Sequence, residues 1–303
     1  MSAGKMHADE VATDASLVRR LLAAQFPQWA DMSIAPVPSA GTDNALYRIG
    51  NDLVARLPRI AGATGQIDKE MQWLPKLAPH LPLAISLPLA KGEPGEGYSF
   101  PWAVCQWLPG ENATLDRLTD PRQAATDLAR FIVALQRIDA TGVPGNLGSR
   151  GAPLAMRDEY TRAAIADAHN LGLIDTGAVI AAWEAALRAP VWDRPPVWFH
   201  GDLQSGNLLA NKGRLSAVID FGCLNVGDPA VDVMTAWLYL PAEVRGTFRA
   251  ALSVDDATWA RGRGWALSVS IVALPYYHIT NPTLASISRR AIAEVLADHR
   301  RGA

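Results

Sequence analysis

The sequence predicts an α+β protein in two lobes, a small β-rich lobe over residues 1–108 and a larger, mainly helical lobe over 109–303. Three observations carry this reading. Short strand-like runs separated by turns and prolines fill residues 45–107. Beyond Leu108, Pro109 and Gly110 nearly every long segment has helical periodicity and a recognisable start. One β interruption, residues 198–228, breaks that helical region. At 303 residues the chain has room for two such units, taking roughly 150 residues per domain.

The first element is a helix over residues 14–26. Asp14 can cap its free amides, Leu17, Val18, Leu21, Leu22 and Phe26 share one face, and Pro27 ends it. Residues 45–50 and 53–57 then read as two strands joined at Asn51 and Asp52. Residues 64–74 return to helical spacing, which Pro75 is expected to stop or kink, because its ring removes an amide and clashes one turn back. Residues 100–107 are a further strand candidate. In the second part, Asp120 and Pro121 open a helix that aligns Ala124, Leu128, Phe131, Ile132, Leu135 and Ile138. Further helices are expected from Asp158, Asp175, Asp228, Pro241, Asp255 and Asn281.

Composition narrows the function classes. With 49% hydrophobic and 19% charged residues the chain is too apolar to stay unfolded. A formal charge of -2 supplies no basic field for nucleic acid or anionic lipid, so neither is an expected partner, and nothing implies an obligate protein partner. Two distant cysteines, Cys105 and Cys223, form no disulfide framework and point to a reducing, cytoplasmic setting. No export signal is read at the N-terminus, and the longest apolar run, residues 265–274, falls well short of the roughly 18 residues that cross a bilayer. The six histidines are too scattered for a protein-only zinc cage.

The chemistry sits in residues 198–228. Residues 207–210 and 215–219 read as two strands turning at Asn211, Lys212, Gly213 and Arg214. Such a hairpin brings Asn207 beside Asp220, with Asp202 one short loop upstream. Amide and carboxylate oxygens are the ligands Mg²⁺ prefers, with water and phosphate completing its octahedron. The constellation points to phosphoryl transfer. Ser205 near His200 invites a hydrolase reading, but the nucleophile elbow needs glycine where Leu203 stands.

His200-Gly201-Asp202 followed by Asn207, with Asp220-Phe221-Gly222 and then Gly227-Asp228-Pro229-Ala230 and Asp232, resembles the catalytic segment of the aminoglycoside phosphotransferase family and its macrolide-kinase relatives. The resemblance implies a bilobal protein-kinase-like fold and an ATP- or GTP-dependent, Mg²⁺-dependent kinase. The implied acceptor is a small-molecule antibiotic, an aminoglycoside first and a macrolide or other natural product as the alternative. A nucleotide-binding module without catalysis is the reading outside that class.

Carried over by position, the family's roles fall as follows. Asp202 orients and deprotonates the acceptor hydroxyl, and Asn207 and Asp220 hold the metal. His200 and Asp232 brace the loop. Arg56 stands where the family has a strand lysine, with Glu70 as its helix partner and Arg59 as a competing cation. Gly41 and Thr42, in the loop before the sheet, cover the phosphates, while Gln106, Trp107 and Leu108 form the hinge against the purine edge. Asp158, Glu159 and Asp228 are the acidic candidates for substrate recognition, each of which also suits a helix terminus.

Overall fold

Residues 10–38, 41, 43–145 and 150–302 are described by the structure, a computed structural model. The first lobe is built on a five-stranded antiparallel sheet. Its strands are β1 (Ile34–Pro36), β2 (Asn44–Ile49), β3 (Leu53–Pro58), β5 (Pro88–Gly92) and β6 (Trp102–Gln106), in the order β1-β2-β3-β6-β5. Alternation along β3 sorts its side chains by face. Leu53, Ala55 and Leu57 pack with Leu17, Val18, Leu21 and Leu22 of α1 (Ala15–Gln25), whereas Val54 packs with Ile67 of α2 (Gln66–Leu77). Arg56 is two residues on from Val54 and therefore faces α2.

Helix α2 departs from expectation. It starts two residues later than 64 and continues through Pro75 to Leu77. Pro75 sits in the last turn, where a single backbone bond is forfeited. Leu74 and Leu77, both buried, hold that turn against the core of the second lobe.

The short strand β4 (Ala84–Ile85) also belongs to the second lobe's packing. It runs parallel to β10 (Arg214–Val218), which pairs antiparallel with β9 (Leu208–Asn211), and β9 pairs in turn with β7 (Glu111–Asn112). The second lobe's packing thus reaches back into α2 and β4, while β5 and β6, which follow them, belong to the first lobe's sheet. A two-stranded ribbon of β8 (Val197–Phe199) and β11 (Asn225–Gly227) flanks the loop that leads into β9.

The helices are α3 (Pro121–Gln136), α4 (Asp158–Asn170), α5 (Thr176–Leu187), α6 (Ala230–Val233), α7 (Thr235–Leu238), α8 (Ala242–Leu252), α9 (Asp256–Tyr277) and α10 (Pro282–Arg301). Helix α9 is central, with α4, α5, α6 and α10 packed around it. Starts follow the sequence cues: Asp14, Asp120, Asp175, Asp255 and Asn281 each accept a first-turn amide of the helix they precede. No described helix is long and apolar enough to cross a membrane.

Candidate active site

The β9–β10 hairpin sets the site. Leu208 pairs with Val218, and the Ile219 amide donates to the Asn207 carbonyl at 2.9 Å, so Asn207 and Asp220 leave the hairpin at the same end. Asn207 Nδ2 donates to the Asp202 carboxylate at 2.7 Å and to the Asp202 carbonyl at 2.9 Å. That fixes the amide's orientation and leaves its Oδ1 as an acceptor. Asp220 adopts a left-handed backbone, φ 61°, which aspartate tolerates better than most residues. Its Oδ1 accepts one long bond, 3.4 Å, from the Gly222 amide. The Asn207 Oδ1 and the Asp220 carboxylate are a donor set suited to a hard cation that completes its shell with phosphate and water.

The catalytic loop is clamped from below. The Asp232 carboxylate is 0% exposed and accepts the amides of His200 at 2.8 Å and Gly201 at 2.7 Å. Burial pushes its pKa up against the opposing pull of His200 and the two amides. His200 Nδ1 accepts the Asp202 amide at 3.1 Å, so the ring proton lies on Nε2 and is donated to the Ile219 carbonyl, also at 3.1 Å. The imidazole thereby ties the loop to the end of β10. Gly201 has φ 87°, and a Cβ there meets the Cys223 carbonyl at 3.0 Å, which excludes a side chain between His200 and Asp202.

On the nucleotide side, Arg56 Nη1 donates to Glu70 at 2.7 Å and Nη2 to Gln66 Oε1 at 3.3 Å. Glu70 is 2% exposed. Burial acts to lower the Arg56 pKa, but Glu70 and then Asp220 outweigh it and keep the guanidinium fully charged. Burial raises the Glu70 pKa, and Arg56 opposes the shift. Lys69 donates to the Gly222 carbonyl at 2.7 Å, joining α2 to the segment after Asp220. Burial and then the Arg56 charge draw its pKa below the ordinary lysine value. Arg59 is taken by Glu10 and does not compete for this position.

Other expected residues stand differently. Gly41 is exposed ahead of β2, and Thr42 lies outside the described residues. The hinge amides are already used: Gln106 N donates to Leu87 O and Trp107 N to Asp52 O, both at 2.8 Å, while Arg48 covers the Trp107 ring at 4.1 Å. Gln106 O accepts the Ser86 hydroxyl at 2.6 Å. The Gln106 and Trp107 amides are therefore committed within the protein, and the Leu108 amide is a hinge donor without a partner among the described residues.

Asp228 is also corrected as a substrate acid. It is 4% exposed, bound to Arg261 at 2.6 and 3.1 Å, and accepts the Ala230 amide at 2.9 Å. Asp158 Oδ1 accepts Trp183 Nε1 at 2.7 Å and Arg162 Nε at 2.8 Å, which commits it to its own helix and α5. Glu159 is exposed.

Three residues escaped sequence reasoning. Gln66 and Lys69 precede Glu70 by four and one residues, and a helical projection of α2 puts Gln66 on the Glu70 face. Arg150 donates to Asp202 Oδ1 at 2.9 Å and to the Gly201 carbonyl. It comes from an irregular segment between α3 and α4 that gave no signal.

The model of a family described as the phosphotransferase enzyme family matches residues 34–265, which include the hairpin, both loops and the Arg56–Glu70 pair. The chain belongs to that family. This phosphotransferase resembles solved structures across nearly its whole length. The GDP and kanamycin complex of APH(2")-IIia is 21% identical, with a TM-score of 0.73 over 93% of this chain and 98% of that one. The GDP complex of wild-type aminoglycoside 2'-phosphotransferase-IIIa is 19% identical, with a TM-score of 0.74 over 95% and 100%. The macrolide 2'-phosphotransferase MphH from Brachybacterium faecium, an apoenzyme, is 21% identical, with a TM-score of 0.59 over 93% and 97%. The phosphotransferase therefore has their bilobal, kinase-like fold. No curated protein matches the chain.

Proposed function

We propose that this phosphotransferase moves the γ-phosphoryl group of ATP or GTP onto a hydroxyl of a small molecule. The single observation that carries the reading is the meeting of Asp202, Asn207 and the start of Asp220 at one end of the β9–β10 hairpin. Asp202 receives the acceptor. Each carboxylate oxygen keeps a lone pair beyond its bonds to Arg150 and Asn207. The hydroxyl donates to it, the acceptor oxygen bonds to phosphorus as the bond to the β-phosphate bridging oxygen breaks, and the proton passes late to Asp202. Modest basicity suffices in a loose transition state.

Asn207 Oδ1 and Asp220 hold magnesium, which when bound offsets charge on the phosphate oxygens. Arg56, fixed by Glu70 and Gln66, presents its charge to the donor phosphates, and the Leu108 amide meets the purine. The solved relatives are named for aminoglycosides and macrolides, and a hydroxyl-rich antibiotic is the acceptor class from which this reading starts. Two free thiols, far apart in the sequence, support a cytoplasmic setting.

The test is phosphate transfer with ATP and Mg²⁺ across antibiotic classes, with product mass as the readout. Asp202→Ala is expected to lower turnover at least ~10²-fold, as for loss of a positioned base. Unchanged turnover removes Asp202 from this role. Nucleotide binding without transfer to any acceptor would favour a non-catalytic module, the reading that arginine at position 56 supports.

A further inference from the structure

Near Arg150, a partly buried charge has no counter-ion among the described residues. Arg157 ends the 3-10 turn Leu154–Arg157 that leads into α4. Its Nε donates to Ser268 Oγ of α9 at 3.0 Å, and Ser268 shares a 2.8 Å hydrogen bond with Thr161 Oγ1, both hydroxyl residues being fully buried. The guanidinium lies 5.3 Å from the Tyr160 ring centroid and 5.4 Å from that of Trp265.

Among the described residues no carboxylate comes within ion-pair distance of Arg157, which is half-buried: its Nε is held by Ser268, while its terminal nitrogens stay open to solvent. The acids nearest in sequence do not serve it: Asp158 is held by Trp183 and Arg162, and Glu159 is exposed. Burial and then repulsion from Arg150 hold the Arg157 pKa below the ordinary arginine value. Arg150 links this position to the reacting centre, because it touches Asp202 at 2.9 Å.

A half-buried cation with no acid beside it and its Nη edge open is a group that an anionic ligand can complete. A guanidinium fixed at Nε, with aromatic faces around it, keeps the paired Nη edge that matches carboxylate and phosphate. We propose that Arg157 is an anion-recognition residue of the acceptor site, so that the hydroxyl compound phosphorylated beside Asp202 carries a carboxylate or a phosphate. With Arg150 neutralising Asp202 and Arg261 neutralising Asp228, this side of the loop disfavours an acceptor with several ammonium groups. The inference rests on the phosphotransfer reading above.

The full chain with Mg²⁺ and ATP is given matched acceptors: glucuronate against its methyl ester, glucose 6-phosphate against glucose, and kanamycin as a polycation. Melting with ADP and Mg²⁺ reports binding of the same probes. Either anion, the carboxylate or the phosphate, is expected to exceed its neutral match in kcat/KM by about tenfold or more, the scale of one charged hydrogen bond. Arg157→Ala should raise KM for that anion by about 10- to 100-fold, leave kcat within about twofold, and spare the neutral match.

Arg157→Lys should restore part of the preference. Arg157→Gln, which keeps the stem, carries the test if the alanine variant fails to fold. An equal rise in KM for charged and neutral acceptors assigns Arg157 to packing and overturns the inference. So does preference for kanamycin, or the absence of both turnover and thermal protection with every anion. Failure of ATP and Mg²⁺ to bind by calorimetry defeats the phosphotransfer reading instead.

Discussion

Arg56 occupies the position where a lysine was expected, and its surroundings show what a guanidinium does differently. It makes two directed bonds, to Glu70 and Gln66, where an ammonium would supply a point charge. Because Glu70 is almost fully buried, removing either partner strands a charge. Glu70→Ala is expected to cost about 3–5 kcal/mol in urea unfolding at unchanged m-value, and Arg56→Lys only about 1 kcal/mol for the lost second bond. A cost for Glu70→Ala no larger than that of a surface substitution would show the pair to be loose. The thiols give a second test. Burial pushes Cys105 up to about 12, and burial also raises Cys223 against the pull of Arg150. Thiolate is scarce at neutral pH in both, so iodoacetamide adducts should form slowly at pH 7 and faster as pH rises, with half-buried Cys223 ahead of buried Cys105. Rapid labelling of Cys105 in the folded protein would contradict its burial.

At the scale of elements, what was legible is what local chemistry decides. The Asp and Asn caps marked helix starts because each cap bond is made within three residues. Strands of two or three residues, such as β4, β7 and β8, carry no period and exist through their partners, so the sequence was silent on them. The catalytic loop and hairpin were readable for the same reason, since Asp202, Asn207 and Asp220 lie within nineteen residues of one another. Arg150 reaches the site from another segment, and only the fold brings it in. The caps also make a pH-dependent prediction. Asp255 accepts the Thr258 amide at 2.7 Å, and hydrogen bonds from Thr258, side chain before backbone, hold its pKa below the usual carboxylate value. A lowered folded pKa stabilises above the unfolded value and loses that contribution as pH falls through the folded one. Asp255→Ala should therefore cost about 1 kcal/mol at pH 7, and the gap to the parent protein should close as the carboxylate protonates. Thermal melts of the two proteins between pH 7 and pH 2 check this; a gap independent of pH would assign the cost to something other than the charged cap.

Across the whole molecule, the two lobes meet where α2 lies against the segment after Asp220. Lys69 bonds the Gly222 carbonyl, and a Cβ on Gly222 would approach Gln66 Oε1 to 2.8 Å and its Cδ to 2.9 Å. Gln66 in turn holds Arg56. Glycine in the Asp220-Phe221-Gly222 triplet thus leaves the room that the Gln66 amide occupies, and a side chain there would push on the partner of the phosphate-side cation. Gly222→Ala is expected to displace Gln66, to cost about 1–3 kcal/mol from overpacking, and to weaken ADP binding in the presence of Mg²⁺ by about tenfold through the loosened Arg56. Gln66→Ala alone should lose the 3.3 Å bond from Arg56 and the 3.4 Å bond to Asp43, about 1–2 kcal/mol together. Adding Gln66→Ala to Gly222→Ala removes the obstructing amide, so the double variant should be more stable than the sum of the single costs, with a coupling of about 0.5–3 kcal/mol. Urea unfolding of the four proteins measures that coupling, and titration calorimetry with ADP and Mg²⁺ measures its effect on the site. Additive costs would mean that α2 and the Asp220 loop move independently, and that the family's glycine serves backbone conformation alone.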